Sequence, residues 1–396
     1  MTENGLMDGT RTEKLFYNDS HLSKFTAMVL ECEPYEKKEG CYAVELDRTA
    51  FFPEGGGQYA DTGKLKDAKV SDVREKNGRI LHITDQPFEA GEIVEGEIDW
   101  ETRFMKMQQH TGEHILSGIL HSMFGAENVG FHIGSDAVRM DTNIPISAEE
   151  LKAAETAANR IIWENVPVNI TYPTREELAA LTYRSKKEIE GQVRIVTIPG
   201  ADVCACCGTH TAFTGAVGQI KILAAENYKG GVRLSIVCGG RALEAAQAMR
   251  ARQAEIGALL SAKASETANA VHRVYDEYTA LKFTHFGLCN QLFDALAAQA
   301  TPGADAIRIV PGLDPDGLHR LAGRLSEATT GLCAALTPNE KGTGYCLAQA
   351  GGDVRALTKA LNAALNGRGG GKPDICQGSC AAEPEQVEEF LRKQDR

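Results

Sequence analysis

The chain has 396 residues, of which 43% are apolar, so it can form two or three domains with their own cores and is not disordered throughout. Its net charge of −12 argues against a basic protein that coats nucleic acid non-specifically, although a local basic patch could still bind RNA. The eleven cysteines form no disulfide-like framework, the N-terminus lacks an apolar signal segment, and no apolar run is long enough to cross a membrane. These features favour a cytoplasmic chain with reduced thiols and no membrane partner.

The first hundred residues are predicted to form a small, barrel-like β domain. Runs of β-branched and alternating residues are separated by Gly, Pro, Asn and Asp turns, which is typical of short strands. The predicted strands are 29–32, 41–46, 79–83 and 93–98.

A mixed α+β core is predicted to follow over 101–240. Apolar residues between Ile115 and Phe124 recur at helical spacing, which predicts a helix over 105–124 that ends at Gly125. The other predicted elements of this core are a helix over 148–164 and strands over 193–198, 219–224 and 232–237.

The segment 241–282 is rich in Ala, Glu, Lys, Arg and Leu and contains no proline. It predicts one long helix or a helical hairpin that serves as a spacer or an oligomerisation element. From residue 286 onward helices and strands alternate, which predicts a small α/β domain. The predicted fold class is α+β, with domains over 1–100, 101–240, 241–284 and 285–396.

Two doublets of metal-ligand residues give the most specific signal. His110 and His114 lie four residues apart, as do Cys206 and His210, and on a helix that spacing places both side chains on one face. Three imidazoles and one thiolate suit Zn²⁺, so we predict one zinc ion per chain. His121 shares the helix face of His110, but it lies about 16 Å along the axis and is excluded.

The thiols of Cys204 and Cys207 compete with Cys206 as ligands. Only Cys206 keeps the four-residue spacing to His210, so the other two are interpreted as outer groups or simply buried thiols.

A glycine run, Gly55, Gly56 and Gly57, is followed by Gln58. Such a run can approach a ribose or phosphate closely, but a tight turn in a barrel would explain it equally well. No Gly-Lys-Ser/Thr follows, so it is not a Walker-type loop.

Two basic clusters are candidates for contact with RNA. One combines Arg368 and Lys372 with Gly369, Gly370 and Gly371, and is either a flexible linker or a contact to an RNA backbone. The other is a group that we interpret as a solvated surface: Arg184, Lys186, Lys187 and Arg194.

Three sequence segments, in their order along the chain, resemble the editing part of alanyl-tRNA synthetase and the free-standing AlaX proteins. The resemblance rests on 52–58, 110–114 and 206–210, while 369–374 is similar to the DHH-associated domain at the end of those synthetases. It covers most of the chain, from about residue 51 onward.

The resemblance implies a zinc-dependent deacylase that cuts serine or glycine from mischarged tRNA(Ala), the expected partner. It also implies that the zinc ligands are His110, His114, Cys206 and His210. The predicted substrate contacts are Gly55, Gly56, Gly57, Gln58, Thr111 and Thr209, and the predicted tRNA contacts are Arg368, Gly369, Gly370, Gly371 and Lys372. A homodimer through 241–284 or the C-terminal domain is a further hypothesis.

Only 109 residues precede His110, too few for an aminoacylation core plus the β domain, so we expect editing in trans. The chain departs from the family at Cys207, where a glycine is common, at Glu113, where the synthetase often has threonine, and over 129–134, which lacks a glutamine. Glu113 is predicted as general base, with a solvated helix glutamate as the alternative.

Two other functions fit part of the pattern. Residues 110–114 satisfy the inverted-zincin pattern H-x-x-E-H of metallopeptidases, which leaves the Cys206 doublet and the glycine blocks unexplained. A closed four-ligand site would instead stabilise a non-catalytic RNA-binding protein.

Overall fold

A computed structural model describes residues 12–185 and 192–394. The chain divides into two compact units, Met1–Arg252 and Gln253–Arg396. The mixed α+β class is confirmed. Within the described residues, none of the helices combines the length and the apolar character that a membrane crossing requires.

The first unit begins with a set of short strands. Six of them pair in the cyclic order β2–β3–β7–β6–β5–β8, with β8 returning to β2, and β1 pairs with β4. The elements are β1 Glu13–Lys14, α1 Leu15–Asn18, β2 Lys24–Pro34, β3 Tyr42–Leu46, β4 Arg48–Thr49, β5 Gly63–Leu65, β6 Ala68–Lys76, β7 Arg79–Thr84 and β8 Ile93–Ile98. We call the six paired strands the strand ring.

Alternation of side chains fills the strand ring with apolar groups. In β8, Val94 and Ile98 are buried, whereas Ile93 and the two glutamates point outward. The sequence predicted four of the six ring strands. It missed β5 and β6, because β6 carries charged residues and a register shift between Val70 and Asp72 that breaks the alternation.

The buried His82 should make the stability of the first unit depend on pH. Burial lowers its pKa from 6.5 to about 4, although its Nδ1 bonds the Val44 carbonyl. Between these values the unfolded chain binds a proton that the folded chain does not. Stability is therefore lost as the pH falls, by about 2 kcal/mol between pH 6.5 and 5. Unfolding followed by fluorescence at pH 7 and 5 should show a steeper loss for wild type than for His82→Gln; equal slopes would refute this.

The α+β core follows the strand ring. Its elements are α2 Trp100–Phe124, β9 Asn128–Ile133, β10 Val138–Thr142, α3 Ala148–Glu164, β11 Asn169–Thr171, α4 Arg175–Ala180, β12 Ile195–Ile198, β13 Asp202–Ala205, β14 Ile220–Tyr228 and β15 Gly231–Cys238. Two sheets form, in the orders β14–β15–β10–β9 and β11–β12–β13.

Helix α2 is the centre of this core. Asp99 caps its first turn by accepting from Thr102 N, and Gly125 ends it with φ 69°. The helix starts earlier than predicted because of this cap. Every residue from 109 to 120 is buried, so this stretch is enclosed on all sides rather than amphipathic.

Two helices follow, α5 Gly239–Leu260 and α6 Thr267–Ala298. The alternative of one continuous helix is wrong, because Ser261 adopts φ 51° and ends α5. The helix predicted over 291–298 is the last part of α6.

The second unit ends in one five-stranded sheet covered by helices. The remaining elements are β16 Ala306–Ile309, α7 Pro315–Ala328, β17 Cys333–Asn339, β18 Gly342–Ala348, α8 Arg355–Ala364, β19 Arg368–Gly371, β20 Ile375–Cys380 and α9 Pro384–Arg392. The strand order is β16–β17–β18–β20–β19, and only the β16–β17 pair is parallel.

The glycine run near the C-terminus is an edge strand, not a flexible linker. Strand β19 pairs antiparallel with β20 over its whole length. A Cβ on Gly369 would lie 2.4 Å from the Gln377 carbonyl oxygen, and one on Gly371 would lie 2.3 Å from that of Ile375. The glycines therefore allow close backbone approach.

Candidate metal centre

The four predicted ligands come together in the first unit. Ligand atoms of His110, His114, Cys206 and His210 all lie within 4.8 Å of one another. The ring centroids of His110 and His210 are 4.7 Å apart, and the Cys206 Sγ lies 3.4 Å from the His110 Nε2. This convergence of two distant segments forms a compact nitrogen and sulfur cluster.

Only the first doublet lies on a helix. His110 and His114 are one turn apart on α2, as the spacing predicted. The doublet of Cys206 and His210 lies instead in the loop after β13, where four-residue spacing has no helical meaning. Loop hydrogen bonds, rather than a helix face, bring these two ligands together.

Arg194 shapes that loop. Its Nη1 donates to the carbonyls of Cys206 (2.7 Å) and Gly208 (3.1 Å), and its own carbonyl accepts from Cys206 N. Arg194 is 5% exposed, so its interpretation as part of a solvated cluster was wrong. Lys186 and Lys187 of that cluster lie outside the described residues.

The Nδ1 atom of each histidine is within hydrogen-bond distance of a residue outside the cluster. The distances are 2.9 Å from His110 to Gln58 Oε1, 2.8 Å from His114 to Asp202 Oδ2 and 3.3 Å from His210 to Thr111 Oγ1. With an Nδ1 proton on each ring, all three Nε2 lone pairs are available to an ion. Gln58 and Thr111, predicted as substrate contacts, are thus bonded to ligands.

The donor set fits a zinc ion. The Nε2 atom of His210 is buried and has no hydrogen-bond partner among the residues that the structure describes. Burial opposes ionisation of the Cys206 thiol, but the neighbouring imidazoles of His110 and His114 outweigh burial and hold its pKa well below the usual range. A thiolate beside three imidazoles is a set that zinc prefers.

Asp202 was missed by the sequence reasoning. It is buried at the start of β13, where it accepts from His114, and its Oδ1 accepts from Arg184 Nε at 2.9 Å. Arg184 also bonds the hydroxyl of Ser117 at 2.8 Å, so it too is no surface cation. No motif marks Asp202, because the contact joins residues 88 positions apart.

The two competing thiols have different surroundings. Cys204 is buried on β13, in a second group of ligand atoms with His114 and Asp202. Cys207 is exposed, so the chain accommodates a side chain where the family commonly has glycine. Neither thiol belongs to the four-residue cluster.

Gly208 is the glycine that the ligand loop requires. A Cβ there would lie 2.0 Å from His110 Cε1. We expect Gly208→Ala to displace this ring and weaken zinc binding about tenfold or more. Titration against a chromophoric chelator measures this, with Gly240→Ala as control, since a Cβ at Gly240 meets nothing within 4 Å. Unchanged affinity in Gly208→Ala would refute the expectation.

Glu113 does not belong to the four-ligand cluster. It is 1% exposed, so the alternative of a solvated glutamate is wrong, and its carboxylate accepts from the amide of Asn128. It lines a cavity of about 30 Å³ with His114 and Ser117, which is room for about one water. His121 is exposed and pairs with Glu127, outside the cluster.

The first glycine run is a tight turn between β4 and β5. Gly55 and Gln58 exchange two backbone hydrogen bonds of 3.0 Å, and Gly56 and Gly57 have φ of 58° and 82°. Gly56 and Gly57 are exposed, whereas Gln58 is buried and bonds both His110 and Thr209. Thr209 is fully buried.

The predicted tRNA segment lies in the second unit. Residues Arg368 to Lys372 are all exposed. Gly370, Gly371 and Lys372 line a groove of about 580 Å³ whose other walls include His319 and Gln349.

Three family models match the chain. Residues 3–102 match the class II (A) tRNA synthetases, and 193–235 match the second additional domain of threonyl and alanyl tRNA synthetases. Residues 306–396 match the DHHA1 domain. The second match contains the Cys206 loop and the third contains β19.

Similar proteins carry names from alanyl-tRNA chemistry. The alanine--tRNA ligase of Natronomonas pharaonis is 37% identical over 69% of this chain and 31% of its own length. The alanyl-tRNA editing protein AlaX-L of Pyrococcus horikoshii is 36% identical over 58% of this chain and 59% of its own length. The alanyl-tRNA editing protein Aarsd1 of Mus musculus is 27% identical over 96% of this chain and 97% of its own length.

The matches and the cluster define a chain with segments similar to tRNA synthetase domains and a candidate metal centre in its first unit. The resemblance to free-standing alanyl-tRNA editing proteins, and to the corresponding region of alanine--tRNA ligases, is confirmed. The chain spans about a third of the length of the ligases that it matches.

Proposed function

We propose that the protein is a trans-editing hydrolase that deacylates tRNA(Ala) carrying serine or glycine, with one zinc ion per chain. The convergence of His110, His114, Cys206 and His210, each imidazole with an outer partner, is the observation that carries the proposal. The editing proteins named above supply the substrate class.

The four cluster residues would hold the ion, which when bound lowers the pKa of a water or polarises an ester carbonyl. The surrounding residues keep those ligands oriented. The ring of Phe131 lies 5.1 Å from that of His110 and limits water on that face. An ester needs little help at its leaving group, so orientation of the reacting groups supplies much of the rate.

Glu113 is kept in the proposal as general base. Its support is the small cavity that it shares with His114, where a water could be held between the two side chains. Loss of deacylation in Glu113→Gln with zinc retained is the expected result. Wild-type rates in that variant would remove Glu113 from the mechanism.

Gly55, Gly56 and Gly57 present backbone at the turn and stay predicted substrate contacts. Gln58 and Thr111 bond the ligand residues His110 and His210, and Thr209 bonds Gln58; these three buried residues also stay predicted contacts. Residues 368–372 of β19 are proposed to contact the body of the tRNA.

The domain organisation is proposed on the same footing. The divisions 1–100, 101–240, 241–284 and 285–396 are kept as functional parts, with the strand ring acting as a barrel that supports the metal centre. A cytoplasmic location and a homodimer through 241–284 or the C-terminal domain stay predictions, and light scattering on the intact chain would test the dimer.

Hydrolysis of Ser-tRNA(Ala), Gly-tRNA(Ala) and Ala-tRNA(Ala), measured beside a peptide library, tests the function. Fast loss of the two mischarged esters with Ala-tRNA(Ala) spared is the expected result. Peptide cleavage without ester hydrolysis would favour the metallopeptidase, a function that leaves the Cys206 doublet and the glycine blocks unexplained. Tight tRNA binding without any turnover would favour the RNA-binding protein.

A further inference from the structure

We propose that Gln58, which ends the glycine turn between β4 and β5, is a positioning residue of the metal centre. It fixes the proton of His110 on Nδ1 and so directs the Nε2 lone pair toward the ion. The inference rests on the proposed function insofar as that function needs a metal, and it gives the glycine turn a role in metal binding in addition to the substrate contacts proposed above.

Backbone hydrogen bonds and packing against β9 hold the turn that carries Gln58. The backbone bonds between Gly55 and Gln58 close it, and the carbonyl of Gly57 accepts from Ile133 N at 3.1 Å. A Cβ on Gly57 would lie 2.5 Å from the Phe131 ring, so the turn packs directly against β9. The side chain after the turn therefore enters the core, where Gln58 is 1% exposed.

The chain beyond the turn is fastened to the helix that carries His110. Asp61 forms a buried ion pair with Arg103 and accepts from Phe52 N at 2.7 Å. Lys106 donates to the carbonyl of Ala60. Arg103 lies about two turns before His110 on α2, so the helix holds both the ligand and the segment that supplies its partner.

The contacts of the Gln58 amide determine which of its atoms faces His110. Thr209 N can only donate, and it lies 3.3 Å from the Gln58 Oε1, while Nε2 donates to the Thr209 hydroxyl at 2.9 Å. The same Oε1 lies 2.9 Å from His110 Nδ1. Because an amide oxygen only accepts, Nδ1 must carry the proton. Gln58 thus links a ligand ring to the loop that carries Cys206 and His210.

Two substitutions of similar volume separate this role from packing. Gln58→Met fills the space but leaves Nδ1 and Thr209 N without an acceptor, and we expect zinc affinity to fall about 10- to 100-fold. Gln58→Glu keeps an oxygen toward Nδ1, and we expect its affinity to stay within about tenfold of wild type.

The matched control is Gln109→Met. Gln109 is also buried and makes two bonds of 2.8 Å, but both are to the backbone of Cys238 and neither is to a ligand residue. It should lose stability and keep zinc affinity.

Zinc affinity of the full chain, by competition with a chromophoric chelator, decides the proposal, with unfolding measured on the same samples. Equal affinity of Gln58→Met and wild type, or an equal fall in Gln109→Met, would overturn it. The readout needs no ester hydrolysis. If the wild-type protein binds zinc but cuts no ester, the proposed function is refuted. The zinc affinities of the Gln58 variants would still decide whether Gln58 is a positioning residue.

Discussion

Cys206→Ala is expected to lose its zinc and nearly all of its deacylase activity. The change removes one of four converging donor atoms, and the remaining three imidazoles keep no thiolate to offset the charge of the ion. Loss of an outer partner typically costs 10- to 100-fold, so loss of a ligand should lower activity by more than about 100-fold. Zinc per chain after dialysis and the rate of Ser-tRNA(Ala) hydrolysis measure the two effects.

Cys207→Ala is the matched control, because it removes the adjacent, exposed thiol. It should keep zinc content and rate close to those of wild type. An active Cys206→Ala, or an equal loss in both variants, would mean that the ligand set has been assigned wrongly.

Asp61→Ala is expected to destabilise the first unit by about 3–5 kcal/mol. Asp61 and Arg103 are 1% and 0% exposed, so the change leaves a buried guanidinium without its counter-charge. Both tryptophans, Trp100 and Trp163, lie in this unit, so denaturant unfolding followed by tryptophan fluorescence reports on it alone.

Lys24→Ala provides the comparison. Lys24 pairs with Glu97 on the same strand ring, but the two side chains are 72% and 58% exposed. Solvent screens such a pair, and its loss should cost less than about 1 kcal/mol. A cost for Asp61→Ala as small as that for Lys24→Ala would show that the buried pair does not fasten the turn to α2.

The periodicity of apolar residues and the spacing of ligand residues made much of the core around the candidate metal centre predictable from the sequence. The apolar stripe between Ile115 and Phe124 predicted α2, and the two doublets predicted one ion. The convergence of the second doublet was predicted for the wrong reason, since Cys206 and His210 are held by loop bonds to Arg194 rather than by a helix.

Contacts between distant segments could not be predicted from the sequence. Gln58 and Thr209 are 151 residues apart, and Asp202 reaches His114 across 88. The burial of charged residues could not be predicted either. Glu113 and Arg194 are residue types usually found at the surface, yet the packing of helix and loop encloses them. A charged residue can be buried when distant parts of the chain supply its hydrogen-bond and ion-pair partners. The local sequence pattern does not reveal those partners.

The most direct test of the account is the hydrolysis of Ser-tRNA(Ala) relative to Ala-tRNA(Ala) by the zinc-loaded full chain. The account predicts rapid release of serine with the correct ester spared. Failure to hydrolyse Ser-tRNA(Ala) or Gly-tRNA(Ala) by protein that carries one zinc per chain would contradict it.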